Sequence, residues 1–156
     1  MEIVTKARGK IEVTDDKLLT IPEGLFGFEE YKKFAVIDSD YEPFLWLQSA
    51  EEPELAFLIV DPFLICSDYE TDIDDESLKK IGIKSPEDII IMTIVTVPHD
   101  GSAITANFQG PLVINKKNHN VECFVTANVP PVKADRDGIE RVILNIIIRW
   151  FQMIHL

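Results

Sequence analysis

Short runs of β-branched and aromatic residues, separated by clusters of Gly, Pro, Asn and Asp, recur along most of the chain. Apolar runs punctuated in this way predict strands joined by tight connections. Ile3 to Lys6 and Lys10 to Val13 read as two strands meeting at Arg8-Gly9, followed by a turn at Thr14-Asp15-Asp16 and a short strand from Leu18 to Ile21. Further strands are predicted at Phe34 to Ile37, Phe44 to Gln48, Ala56 to Val60, Ile89 to Val97, Ala103 to Phe108 and Leu112 to Ile114. Several of these are continuously apolar rather than alternating, which predicts strands covered on both faces, as in a closed barrel or a tight sandwich. Along the longest run, Ile91, Thr93, Val95 and Val97, or their alternates, would fill the interior.

Helical signals are sparse. Asp74 or Asp75 can cap a helix whose first turn holds Glu76, with Leu78 and Ile81 on one face and Gly82 closing it in a left-handed conformation. Ser85-Pro86-Glu87-Asp88 predicts a second short turn, its proline placed where no amide donor is needed. The segment Pro22-Glu23-Gly24-Leu25-Phe26-Gly27-Phe28 has the composition of a compact loop packed by its own side chains. There Gly24 and Gly27 would hold backbone conformations closed to other residues. The predicted fold class is therefore mainly β, a small antiparallel β barrel or sandwich with one or two short helices. A single domain over residues 1–156 is the expectation, since a chain of this length buries a core unaided. The prolines and alternating charges from Val129 to Gly138 read as an exposed loop.

Composition adds that the chain is globular, with 46% hydrophobic and 27% charged residues. Charge says more. Twenty-seven acidic residues against fifteen basic ones leave a formal charge of -12, which repels phosphate backbones and anionic headgroups. Direct nucleic-acid binding and membrane binding are therefore not expected. From Glu42 to Leu78 there are eleven acidic residues and no Lys or Arg. Within that stretch Glu51, Glu52, Glu54, Asp61, Asp68 and Glu70 would supply a field that steers a basic partner, or simply a solvated rim around the strands. Phe44, Trp46, Phe57 and Phe63 in the same stretch read mostly as core.

No arrangement of catalytic residues stands out, and neither a cofactor nor a metal is expected. His99, His119 and His155 have no ligand spacing to one another or to Cys66 and Cys123, and no phosphate loop, GxSxG or CxxC occurs. Asp72, Asp74 and Asp75 lack the Gly and terminal Glu of an EF-hand and suit a helix N-terminus better. Cys66 and Cys123 read as two buried thiols. Met1 to Lys6 has no basic-then-apolar leader, and Val142 to Leu156 is interrupted by Asn145, Arg149 and Gln152. A cytoplasmic setting fits these features. Gly110-Pro111 breaks a strand, so the chain there either lies at an exposed edge that invites a partner or kinks so that one strand serves two sides of a barrel. On the first reading Asn107, Phe108, Pro111, Ile114 and Asn115 are the candidate protein-binding residues.

Three stretches carry a family resemblance: Ile21 to Phe28, Pro53 to Pro62 (Pro-Glu-Leu-Ala-Phe-Leu-Ile-Val-Asp-Pro) and Thr105 to Asn115 (Thr-Ala-Asn-Phe-Gln-Gly-Pro-Leu-Val-Ile-Asn). In order and spacing, together with Leu47-Gln48-Ser49 and Lys84-Ser85-Pro86-Glu87-Asp88, they resemble the flagellar assembly factor FliW family over about the first 120 residues. The C-terminal part departs from the pattern, with 121–138 reading as a possible inserted segment and Trp150 to Leu156 only loosely like the family's ending. The resemblance implies a cytosolic protein that binds flagellin and antagonises the RNA-binding translational regulator CsrA, coupling flagellin synthesis to export. The rival reading is a small-molecule-binding β-barrel protein or enzyme.

Overall fold

The structure, a computed structural model, describes residues 1–96 and 105–123. Its strands are β1 (Glu2–Thr5), β2 (Gly9–Glu12), β3 (Leu18–Thr20), β4 (Lys33–Asp38), β5 (Leu45–Ser49), β6 (Ala56–Val60), β7 (Ile89–Thr96), β8 (Thr105–Ala106), β9 (Leu112–Asn115) and β10 (Val121–Cys123). The helices are α1 (Pro62–Ile65) and α2 (Asp75–Lys80). β1 and β2 form a hairpin of their own, and the others make an eight-stranded antiparallel sheet in the order β10-β9-β7-β6-β5-β4-β3, with β8 also on β7. A single parallel bridge joins Thr20 to Asn120, where the Thr20 amide donates to the His119 carbonyl at 2.9 Å. It ties β3 to the start of β10, so the sheet curls into a nearly closed barrel.

The continuous apolar runs now have a cause. Alternate residues point inward, where Leu19, Phe34, Leu47, Ile59, Met92, Leu112, Ile114 and Val121 form the barrel core. Their neighbours point outward and are covered too. Ile3 and Val13 of the hairpin region pack on Ala35 of β4. Ile65 of α1, with Ala106 and Phe108, packs around Leu58, Val60 and Val95. Leu78 and Ile81 from the α2 region pack on Val113 and Ile89. Along β7 it is the alternates, Met92 and Ile94, that join the core, while Val95 belongs to the outer cluster.

The buried Gln48 couples the hairpin to the barrel. Its side-chain amide donates to the carbonyls of Ser49, Pro53 and Leu55, each at 3.1 Å, and its oxygen accepts from the Lys6 amide at 3.0 Å. One polar side chain thus satisfies the β5–β6 turn and anchors the end of β1.

Helix α2 forms where the sequence predicts it, with Asp74 as the cap. The Ser77 amide and hydroxyl donate to its carboxylate at 2.8 and 3.0 Å, and the amide bond above all holds Asp74 below the usual carboxylate range. Gly82 closes the helix end at φ +75. Helix α1 was not predicted, though its signal is present. Asp61 accepts from the Phe63 amide at 2.9 Å, and Pro62 opens the turn. At the start of the expected insertion, Val121, Glu122 and Cys123 pair with Ile114, Val113 and Leu112 as a sheet strand. Cys66 is buried, whereas Cys123 is only half-buried, and burial pushes its thiol upward. Val97, His99 and Ala103, the remainder of 121–138, and the stretch 142–156 with His155 lie outside the described residues.

Candidate protein-binding face

The Gly110-Pro111 break does not make an exposed strand edge. β8 pairs with the far end of β7 and β9 with its near end, and the Asn107 amide still donates to the Ile94 carbonyl of β7 at 2.9 Å, so the chain leaves β7 only over Phe108 to Pro111 and returns to the same neighbour. β9 is covered on its other side by β10. Three of the predicted contact residues are consequently interior. Pro111 is buried, Ile114 points into the barrel core, and Asn115 is buried with its side-chain amide donating to the Ile81 carbonyl at 2.8 Å. Asn115 also accepts from the Lys117 amide at 2.8 Å, so it clasps the end of α2 to the β9–β10 turn. Asn115→Ala is expected to lower folding stability by about 1–2 kcal/mol, read as a lower urea midpoint, because the Ile81 carbonyl keeps only its bond from Asn118.

Asn107 and Phe108 do reach the surface, and they meet α1 there. Asn107 is exposed, its carboxamide oxygen accepting from the Gly110 amide at 3.0 Å. Pro62 and Ile65 face inward from α1, which turns Phe63 and Leu64 out to solvent. After the helix the chain folds back and places the buried Tyr69 between two rings, 5.6 Å from Phe63 and 5.4 Å from Phe108. The Tyr69 hydroxyl donates to the Phe108 carbonyl at 3.0 Å, and burial raises its phenol above the usual tyrosine value. Phe63, Leu64 and the half-buried Phe108 form one apolar patch on a rigid base. Phe63 thereby corrects its expectation as core, while Phe44 is buried and Trp46 and Phe57 are half-buried.

The acidic set divides between two ends of the molecule. Asp61 caps α1, and Asp68 and Glu70 stand exposed on either side of Tyr69, so these three share the apolar patch. Glu51, Glu52 and Glu54 lie in the β5–β6 turn, separated from α1 by the length of β6, about 16 Å at ~3.3 Å per residue. The Glu51 carboxylate accepts from the Lys32 and Lys33 amides at 2.7 and 3.1 Å and so ties the turn to the loop before β4.

That loop holds a residue the sequence reading passed over. Gly24 and Gly27 have φ of +71 and +86, and the Phe28 amide donates to the Leu25 carbonyl at 2.7 Å. The result lifts Phe26 to 96% exposure, while Phe28 packs edge-on against Phe57 at 5.4 Å. Its only sequence signal is an aromatic residue set between two glycines.

At one end of the barrel a cleft of about 280 Å³ is walled by Leu19, Val36, Leu45, Ile59, Met92 and Ile114. Its polar lining, Asp16, Lys17, Lys116 and His119, comes from exposed or half-exposed residues rather than from its floor. Convergent polar groups of the kind that orient a small-molecule substrate are not found in those walls.

The family model described as FliW protein matches residues 2–133. A flagellar assembly factor FliW from Treponema denticola is 53% identical over 118 residues, covering 76% of this chain and 80% of that protein. One from Treponema pallidum is 49% identical over 118 residues, covering 76% and 79%. A crystal structure of the flagellar assembly factor FliW superposes with a TM-score of 0.76 at 32% identity, over 86% of this chain and 94% of that one.

Proposed function

Because this chain belongs to the FliW family of flagellar assembly factors, we propose that it acts in the cytoplasm as a non-catalytic regulator that binds flagellin and, once flagellin has been exported, is free to bind a CsrA-type RNA-binding translational regulator. Sequestering that regulator relieves the flagellin message of repression. The observation that carries the reading is the exposed pair Phe63 and Leu64, joined to the half-buried Phe108 through Tyr69, with Asp61, Asp68 and Glu70 on the same stretch of chain. An apolar anchor within an acidic field suits a protein partner with basic character, and the same field repels RNA. Asn107 and Phe108 are contact residues on this reading, and Pro111, Ile114 and Asn115 hold the strand behind them. Asp61, Asp68 and Glu70 steer a partner onto this patch, and Glu51, Glu52 and Glu54 act at the other end.

The test is kinetic. Leu64→Asp is expected to speed dissociation from at least one of the two partners about tenfold. Reversing Asp68 and Glu70 to lysine should instead slow association and flatten its dependence on salt. Association and dissociation rates measured with purified flagellin and CsrA at two salt concentrations check both. Wild-type protein that binds neither partner would refute the function, and folded variants with unchanged rates would refute the placement of the face.

A further inference from the structure

We infer that the loop from Pro22 to Glu30 is a second docking element, in which Phe26 enters an apolar pocket on a basic protein partner. The inference rests on the partner-binding function proposed above and assigns a separate contact to it. Phe26 is 96% exposed, so its ring contributes almost nothing to the chain's own core. A lone exposed apolar side chain is ordinary on a protein surface. The backbone beneath this one is not.

Gly24 and Gly27 bracket the tip in the left-handed region, and a bridge joins Leu25 to Phe28. The Gly27 amide donates to the Glu29 carboxylate at 2.9 Å, and the Tyr31 amide donates to the Phe28 carbonyl at 3.1 Å. Leu25 is buried in the barrel core. The tip is therefore ordered before any partner arrives, which removes much of the entropy that ordering a loop costs on binding. Aromatic side chains, Phe among them, are enriched in the cores of protein interfaces.

Charge selects the kind of partner. Glu23, Glu29 and Glu30 stand exposed within the loop, and Glu51 and Glu54 in the adjoining β5–β6 turn, against Lys32 and Lys33. The hydrogen bond from Gly27 holds the Glu29 carboxyl below its usual range, so it stays charged near neutral pH. A pocket that accepts Phe26 must close over this acidic surround, and a basic rim is what complements it. This end is separated from the α1 patch by the length of β6, so the molecule presents two docking ends.

Phe26→Ala and Phe26→Trp separate the possibilities, measured as affinity and dissociation rate for flagellin and for the CsrA-type regulator in turn. Phe26→Ala is expected to weaken binding to one of them at least about tenfold, chiefly through faster dissociation, with an unchanged melting temperature. Phe26→Trp should retain most of the affinity. Wild-type affinity for both partners in Phe26→Ala would overturn the inference while leaving the proposed function standing. Wild-type protein that binds neither would overturn both. If sedimentation shows a self-associated wild type that Phe26→Ala dissolves, the occupant is a second copy of this chain and the basic partner is refuted.

Discussion

Replacing Gly24 by alanine is expected to cost about 3 kcal/mol of folding stability, whereas the same change at Gly27 costs about 1 kcal/mol. Both glycines sit in the left-handed region, at φ +71 and +86, so both substitutions carry the conformational penalty of an L side chain there. Space tells them apart. A Cβ on Gly24 would lie 2.6 Å from the Glu29 Cα and 2.8 Å from its carbonyl oxygen, while one on Gly27 would meet nothing within 4 Å. Backbone atoms cannot rotate aside as a side chain does, so the loop itself has to move. Urea denaturation of the two variants should show a midpoint drop for Gly24→Ala more than twice that for Gly27→Ala. Equal midpoints would mean that the loop yields freely, and the preordering of Phe26 would then have no basis.

Gln48→Ala is expected to cost a further large increment, about 3 kcal/mol. The side chain is 1% exposed, and truncating it strands the Pro53 carbonyl and the Lys6 amide without the partners they have at 3.1 and 3.0 Å. Both groups are part-buried and can reach water, so each lost bond costs about 0.5–1.5 kcal/mol, and the cavity left by the buried side chain adds to that. Gln48→Glu divides the contributions, since it keeps an acceptor for Lys6 but loses the donors to the turn. Calorimetry on both variants, with hydrogen exchange at the Lys6 amide, reads stability and hairpin attachment separately. Loss of Lys6 protection in Gln48→Ala but not in Gln48→Glu is the expected pattern.

The features legible in the sequence are those that local chemistry decides. Ala56 to Val60 is a strand within its predicted bounds, Asp74 caps the helix expected there, and the positive φ of Gly24, Gly27 and Gly82 follows from turns that need it. Double coverage of the strands was legible from unbroken apolar runs such as Ala56 to Val60. What escaped depends on contacts far apart in sequence. Ile114 and Asn115 looked available because Pro111 cannot donate to a ladder, yet β9 begins just after that proline and lies between two neighbours. Val121 to Cys123 was not foreseen as a strand because so short a strand has no signal of its own until it pairs with β9. Phe63 and Phe26 were hidden for a related reason. An aromatic residue beside a buried one reads as core until the backbone direction is known.

The bridge between Thr20 and Asn120 bears on what the protein avoids as well as on its shape. An open sheet ends in rows of unpaired amides and carbonyls, which are templates for growth by further strands. Among the described residues the closing contact is one hydrogen bond to the carbonyl of His119, a residue held at φ +61 in a turn that the side chains of Asn115 and Asn118 fasten. Resistance to fibre-like self-association at this seam thus depends on a handful of residues in the β9–β10 turn. Loss of that turn would leave the edges of β3 and β10 as templates for further strands while the side chains of the Phe26 loop and of α1 stayed chemically unaltered.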